Sequence, residues 1–430
     1  MPAPGSCSQK GPAPPGKERT ERTVLAWLLG VVLFALGICA SVALHEAGHM
    51  WAAKAFGMKV RRYFIGFGPK IWSFRRGETE YGLKAIPAGG FCDIAGMTAL
   101  DEVTPEEAPR AMWRYPTWKR FVVMVAGSVT HFILGFIILY LLAATMGLPN
   151  VAGTPVISGT DCAARTQDPK TFEYAQCGSD DPAPARDAGL REGDEIVSID
   201  GKATPTWTDV VSRVQKLRGE HEFVVLRDGA RRTLTIDIPT VQRVAPDSKA
   251  GADDNKLVEV GAIGVTSTPI YHYNAGTAIG GSVEFTGEMF VRVWEGLLAF
   301  PQKIPKVIEA IGGGERDPDT PVSVVGASII GGDAVEQGVW ELFLLLLATL
   351  NFFVGVFNLL PLLPLDGGHI AVLFYEKIRD WIRKARGKPA GGPVDYTKLS
   401  AVTMVFIFIG GAVVLLTVTA DIVNPIRIGQ

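Results

Sequence analysis

The chain has 430 residues, a net charge of −2 and a mean hydropathy of +0.22. That is too apolar for an ordinary water-soluble enzyme, while 20% charged residues is too many for a chain buried in lipid throughout. A membrane protein carrying a folded aqueous domain fits both facts, and the near-neutral balance gives no electrostatic reason to expect nucleic acid. Cys7, Cys39, Cys92, Cys162 and Cys177 show no C-x-x-C spacing, which speaks against a structural zinc cluster or a thioredoxin-like site.

Residues 1–23, rich in proline with Gly, Ser and Lys, are predicted as a disordered tail. An apolar run over residues 24–56 follows. It is too long for a signal peptide and has no small-residue cleavage site, so it is expected to stay as a first transmembrane helix. His45-Glu46-Ala47-Gly48-His49 lies inside it. Histidines four apart share one helical face about one turn from each other, which suits two imidazoles to a single zinc ion. Glu46 stands one residue past the first ligand, placed as a general base toward the attacking water.

Residues 57–100 change to short alternating segments punctuated by glycine, read as a small membrane-associated β-hairpin region. Gly66 to Pro69 is a predicted turn, with strands over residues 70–75 and 79–86. A second transmembrane helix is predicted over residues 117–147. His131 lies within it, either bonded to a neighbour such as Ser128 or Thr130 or turned toward the metal.

No stretch between about residues 147 and 340 is long and apolar enough to span. Within it, Ala188-Gly189-Leu190 through Gly193-Asp194-x-Ile196 to Ile199-Asp200-Gly201 predicts a short helix, a turn and a strand closed by a tight Asp-Gly turn. A helix over residues 208–217 and two strands follow, a succession similar to a bacterial-type PDZ domain, placed at residues 150–242. Such domains bind peptides by strand addition, which makes an extracytoplasmic peptide an expected partner. Cys162 and Cys177 share one loop and could pair in an oxidising compartment. Residues 243–338 are read as linker and amphipathic helices.

A third span is assigned to residues 340–375, running through Asn358-Leu359-Leu360-Pro361-Leu362-Leu363-Pro364-Leu365-Asp366-Gly367-Gly368-His369. Two prolines and two glycines must break it. Irregular backbone at membrane depth is tolerated only in the protein interior or beside a water cavity, so Asp366 is the expected third metal ligand, with His369 as the competing nitrogen. Asn358 could hold substrate backbone or an oxyanion, or bond another helix. A fourth span is predicted over residues 400–420. Basic residues cluster at 54–84, 110–120 and 377–388, and four spans put all three regions on one side, which the positive-inside rule makes cytoplasmic.

Taken together, His45-Glu46-x-x-His49, Gly66-x-Gly68-Pro69, the inserted domain and Asn358-x-x-Pro361-x-x-x-x-Asp366-Gly367 resemble the site-2 protease family of intramembrane zinc metalloproteases, of the sigma-factor regulating type with one PDZ domain. The fold this implies is an α-helical polytopic membrane protein of about four transmembrane helices, with a small membrane-associated β-sheet and an inserted α/β PDZ-like domain. It implies cleavage of a single-pass membrane protein such as a trimmed anti-sigma factor, with Zn2+ on His45, His49 and Asp366, Glu46 as base, and substrate contacts from Asn358, Gly66, Gly68 and His131. It also implies a multi-pass protein of the cell membrane, its active site toward the cytoplasm. The alternative from another class is a catalytically silent scaffold binding extracytoplasmic peptides through the PDZ-like domain. A scaffold has no need of His45, Glu46, His49 and Asp366 together, and a zinc carrier needs more ionisable residues along a path than His131 offers.

Overall fold

The computed structural model describes residues 17–98, 101–178, 180–245, 248, 255–314, 316–392 and 394–428. The chain forms two compact units, one from Met1–Leu142 with Ala278–Gln430 and one from Ala143–Thr277. Among the described residues, four helical segments are long and apolar enough to cross a membrane: Thr23–Ala55, Thr117–Thr145, Trp340–Asn358 and Leu399–Val423.

In the first unit, α1 (Lys17–Ala55) carries the histidine pair. It takes in the last seven residues of the predicted tail, because Lys, Glu, Arg and Thr at residues 17–23 are all compatible with helix and no proline interrupts them. The remainder of the tail lies outside the described residues. Strands β1 (Val60–Arg76) and β2 (Thr79–Ile94) follow. The predicted Gly66–Pro69 turn is a bend inside β1 rather than a chain reversal. Gly66 and Gly68 have φ of 88° and 81°, and a Cβ on Gly66 would lie 2.7 Å from the Ile86 carbonyl oxygen, so the bend requires glycine. The bend doubles the hairpin on itself, so that Phe64 pairs with Phe91 on one side and Gly82 on the other. Strand β2 therefore runs beyond the expected Ile86. The Tyr63 hydroxyl donates to the Ala43 carbonyl at 2.7 Å, tying the sheet to α1 just ahead of the histidines. Helix α2 (Thr117–Thr145) packs on the same side, and Ala47, Met50, Met58, Val60, Ile94, Met112 and Val123 form one buried cluster.

The second unit contains β3 (Leu148–Pro149), β4 (Ile157–Thr160), α3 (Pro184–Asp187), β5 (Glu195–Ile199), β6 (Lys202–Ala203), α4 (Trp207–Val214), β7 (Gly219–Arg227), β8 (Ala230–Ile238), β9 (Thr240–Val244), β10 (Leu257–Gly261), β11 (Val265–Ser267) and β12 (Ile270–Tyr271). Its main sheet has the order β6-β5-β7-β8, with β9–β10, β4–β11 and β3–β12 as separate pairs. Ile157, Ile196, Phe223, Val225, Ile236 and Ile263 are buried together. Past the expected boundary at residue 242, β10, β11 and β12 also lie in this unit, where β11 pairs with β4 and Ile263 fills the core. Sequence periodicity hid them because each strand is at most five residues long. Asp194 is fully buried and takes a bidentate bond from Arg227 at 2.6 and 2.7 Å. Burial pushes its carboxyl up, but Arg227 and the Arg191 amide outweigh that and hold it below the usual carboxylate range. Cys162 and Cys177 form a disulfide.

The first unit resumes with α5 (Thr277–Ile311), α6 (Val324–Glu336), α7 (Trp340–Asn358), α8 (Asp366–Ala385) and α9 (Tyr396–Val423). Small residues let α6 approach α1 closely: a Cβ on Gly30 would sit 2.9 Å from the Gly331 carbonyl oxygen. Buried Asp333 on α6 accepts from Trp27 Nε1 at 2.9 Å and Arg427 at 2.8 Å, which satisfies a carboxylate that lipid would otherwise disfavour. The third span differs from the expected 340–375. Helix α7 stops at Asn358, the chain turns through residues 359–365, and α8 starts afresh at Asp366. Pro361 and Pro364 lack the N–H a continuous helix needs, and α8 is too charged to span.

Candidate metal centre and active site

His45 and His49 face inward from α1, each 7% exposed. The carbonyl of Val123 on α2 lies 2.7 Å from His49 Nδ1, so this nitrogen donates there and Nε2 keeps its lone pair for the site. His45 Nε2 lies 3.1 Å from His49 Nε2, and Asp366 Oδ2 lies 3.3 Å from both. Asp366 is held there by the turn before it. A Cβ on Gly367 would strike the Leu359 and Leu360 carbonyls and one on Gly368 the Leu363 amide, so only the Gly-Gly pair lets α8 fold back against residues 359–363.

Asp366 Oδ2 is buried without a hydrogen-bond partner among the described residues. An anionic oxygen facing two imidazole nitrogens in a buried site calls for positive charge beside it, which a metal ion between the three would supply. Zinc bonds of about 2.0–2.1 Å at tetrahedral angles put ligand atoms roughly 3.3 Å apart, which is the spacing of this triangle. The three residues could hold a metal ion, and the donor set of two imidazoles and one carboxylate fits zinc with one position left open.

Glu46 is half-buried beside the triangle. Its carboxylate faces the backbone N–H of Cys92, and a Cβ on Gly90 would lie 3.1 Å from its Cγ. The residue 86–94 segment of β2 therefore runs directly past Glu46.

His131 is 2% exposed, and its ring centroid is 5.0 Å from that of His45. Its Nδ1 lies 2.9 Å from Asn351 Oδ1, while Asn351 Nδ2 donates to the Leu347 carbonyl at 2.8 Å. The amide orientation is thereby set, so His131 Nδ1 carries the proton and Nε2 a lone pair. His369 stands outside the cluster of donor atoms lying within 4.8 Å of one another. Asn358 closes α7, half-buried, eight positions before Asp366. The nearest neighbours of Gly66 and Gly68 are Ile86 and Lys84, so both shape the sheet.

Sequence reasoning missed Asn351, although it is an amide in the middle of an apolar helix, and it missed the part of Gly127. A Cβ on Gly127 would fall on His49 Nε2 and lie 2.6–2.7 Å from His45 Cε1 and Nε2, so α2 has to be bare where the imidazoles meet it. Gly127→Ala is expected to lower zinc affinity and cleavage by about 10–100-fold, the range seen when metal-site supports are lost. Gly280→Ala, whose Cβ meets nothing within 4 Å, is expected to change neither. Metal content after dialysis against a graded chelator, alongside cleavage rates, checks both variants.

Residues 33–402 match the family model for peptidase family M50. The chain is similar to the zinc metalloprotease Rip1 of Mycolicibacterium smegmatis, 48% identical over 94% of this chain and 99% of that protein. It is similar to Rip1 of Mycobacterium tuberculosis at 47% identity over 94% and 100%. With the metalloprotease MmpA of Caulobacter vibrioides it shares 28% identity over 85% and 90%. A buried histidine pair and carboxylate spaced for zinc, a family match over most of the length and relatives aligned nearly end to end lead to one conclusion: the chain belongs to peptidase family M50, the site-2 protease family, and is a membrane zinc metalloprotease.

Proposed function

We propose that this protease cleaves single-pass membrane proteins within the bilayer, its substrates being anti-sigma factors already trimmed outside the membrane, in regulated intramembrane proteolysis. The observation that carries the reading is the convergence of His45, His49 and Asp366, with Glu46 beside them, where the start of α8 meets α1, a helix composed for lipid. His45 and His49 through Nε2, and Asp366 through Oδ2, are the zinc ligands. A zinc ion held by these residues would supply Lewis acidity toward the scissile carbonyl and the attacking water. Glu46 accepts the proton from that water and returns it to the leaving amine.

A substrate helix must unwind before its carbonyls are accessible, and its freed amides then need partners. The β2 segment passing Glu46 is suited to pair with them by strand addition, with Gly66 and Gly68 setting the bend of the β1 strand it runs beside. His131 Nε2 is an acceptor for a substrate N–H, and Asn358 supports the unwound backbone or the oxyanion.

The second unit is read as the PDZ-like domain. Supporting this, a cavity of about 560 Å³ is lined by Val210 and Val214 of α4, Val265 of β11 and the Cys162–Cys177 loop, a shape that suits an extended extracytoplasmic peptide. The disulfide fits an oxidising compartment, and the basic residues at 54–84, 110–120 and 377–388 fit the cytoplasmic face.

The test is cleavage of a fluorescent single-pass substrate by the full chain in vesicles, with the substrate's outer domain either present or removed. The trimmed form is expected to be cut, the untrimmed form to be spared, and a zinc chelator to stop cleavage until zinc is restored. Cleavage that persists after complete metal removal would overturn the reading.

A further inference from the structure

Helix α8 is not among the helices long and apolar enough to span, and its faces are sharply sorted. One side is held by the protein. Leu373 is buried, the Phe374 ring lies 5.6 Å from that of Phe121, and Glu376 pairs with Arg120 of α2 at 3.5 Å. Another side leaves large apolar groups open: Phe374, despite that ring contact, Tyr375, Ile378, Trp381 and Ile382 are 47%, 58%, 57%, 70% and 38% exposed. At about 100° per residue they fall within one arc of about 120°.

The charges bracket this arc. Lys377 and Lys384 project along one margin and Arg379 and Arg386 along the other, while Glu376 and Asp380 fall on the far side. Arg379 is occupied by Asp380 and the Gly392 carbonyl, and Arg383 by the Pro389 carbonyl. Lys377, Lys384 and Arg386 are exposed, with no ion-pair partner among the described residues. Cations on both margins of an apolar face, with acids turned away, are the charge complement of an anionic bilayer surface, where the rings enter the acyl boundary and the cations meet phosphates.

We propose that α8 is an interfacial helix docked on anionic phospholipid, with Lys377, Lys384 and Arg386 holding headgroups and Trp381 seated below them. Asp366 is its first residue, so docking also sets where that carboxylate points. This second part rests on the metal-ligand reading given above. The helix acts as a lever with one end in the lipid surface and the other at the metal centre.

The experiment places the full chain in vesicles of equal phosphatidylcholine and phosphatidylglycerol, with acyl-chain bromines on one lipid or the other. Quenching by each is read for Trp381 as the difference between wild type and Trp381→Phe. Brominated phosphatidylglycerol is expected to quench more strongly, with local enrichment of about fivefold per engaged cation. The excess should vanish in the triple variant Lys377→Gln/Lys384→Gln/Arg386→Gln. Equal quenching by both lipids overturns the anionic preference. Absence of quenching by either shows the face covered by protein, such as a second copy, and overturns the docking.

Zinc affinity, read by chelator competition in phosphatidylcholine with and without phosphatidylglycerol, tests the lever. Wild type is expected to bind more tightly with the anionic lipid, and the triple variant to be indifferent to it. An unchanged affinity in wild type overturns the coupling alone. Failure of wild type to bind zinc in any lipid would instead overturn the metal reading, leaving the quenching result intact.

Discussion

Glu46→Gln is expected to lower the cleavage rate by about 10²–10⁴-fold, the usual contribution of a positioned general base, while bound zinc stays at the wild-type level. Glutamine keeps the size of the side chain and its place against Cys92 and Gly90, and it loses only the capacity to take a proton. Glu46 is not one of the three converging ligand residues, so the metal should be indifferent to the change. The measurement is single-turnover cleavage of the trimmed substrate with zinc stoichiometry on the same sample. Wild-type cleavage by the variant would remove Glu46 from the chemistry, whereas parallel loss of zinc would move it into the metal's support.

Asp366→Asn is expected to remove both metal and activity. The substitution replaces a charged oxygen with a neutral amide at the point where Oδ2 faces two imidazole nitrogens at 3.3 Å, and it can turn an N–H toward them. Loss of a direct ligand should exceed the about 10–100-fold cost of losing a supporting partner. Chelator competition reads the affinity. Because the variant could instead unfold, an intact Cys162–Cys177 disulfide in the second unit and an unchanged thermal transition are the controls. Zinc binding as tight in the Asp366→Asn variant as in wild type would exclude Asp366 as the third ligand.

The two assignments differ in how far sequence could reach. His45, Glu46 and His49 share one helix, so their relative placement follows from 3.6 residues per turn. Asp366 was legible because Pro361, Pro364 and the Gly-Gly pair mark irregular backbone in an apolar setting, which lipid tolerates only around a purpose. His131 could be noticed as an ionisable group in a span, but its state depends on Asn351, 220 positions away. Gly127 could not be read at all, since its role is to be empty where the imidazoles come within contact distance. Helix α8 was absorbed into the third span because its first residues continue an apolar run. Only the break at Asn358 separates the two helices.

Composition and local periodicity by themselves determined the membrane class, the four apolar segments, the histidine pair with Glu46 between them, and the broken stretch ending in Asp366. These are short-range properties, set by helical repeat, backbone hydrogen bonding and the insolubility of charge in lipid. Tertiary structure decided which face of α2 meets the histidines, that β2 rather than the bend of β1 runs past Glu46, that the second unit extends to Thr277, and that Asp366 opens a new helix. Those outcomes depend on close packing between segments far apart in the chain, where the volume of a single Cβ settles the contact, and a linear pattern carries no record of that volume.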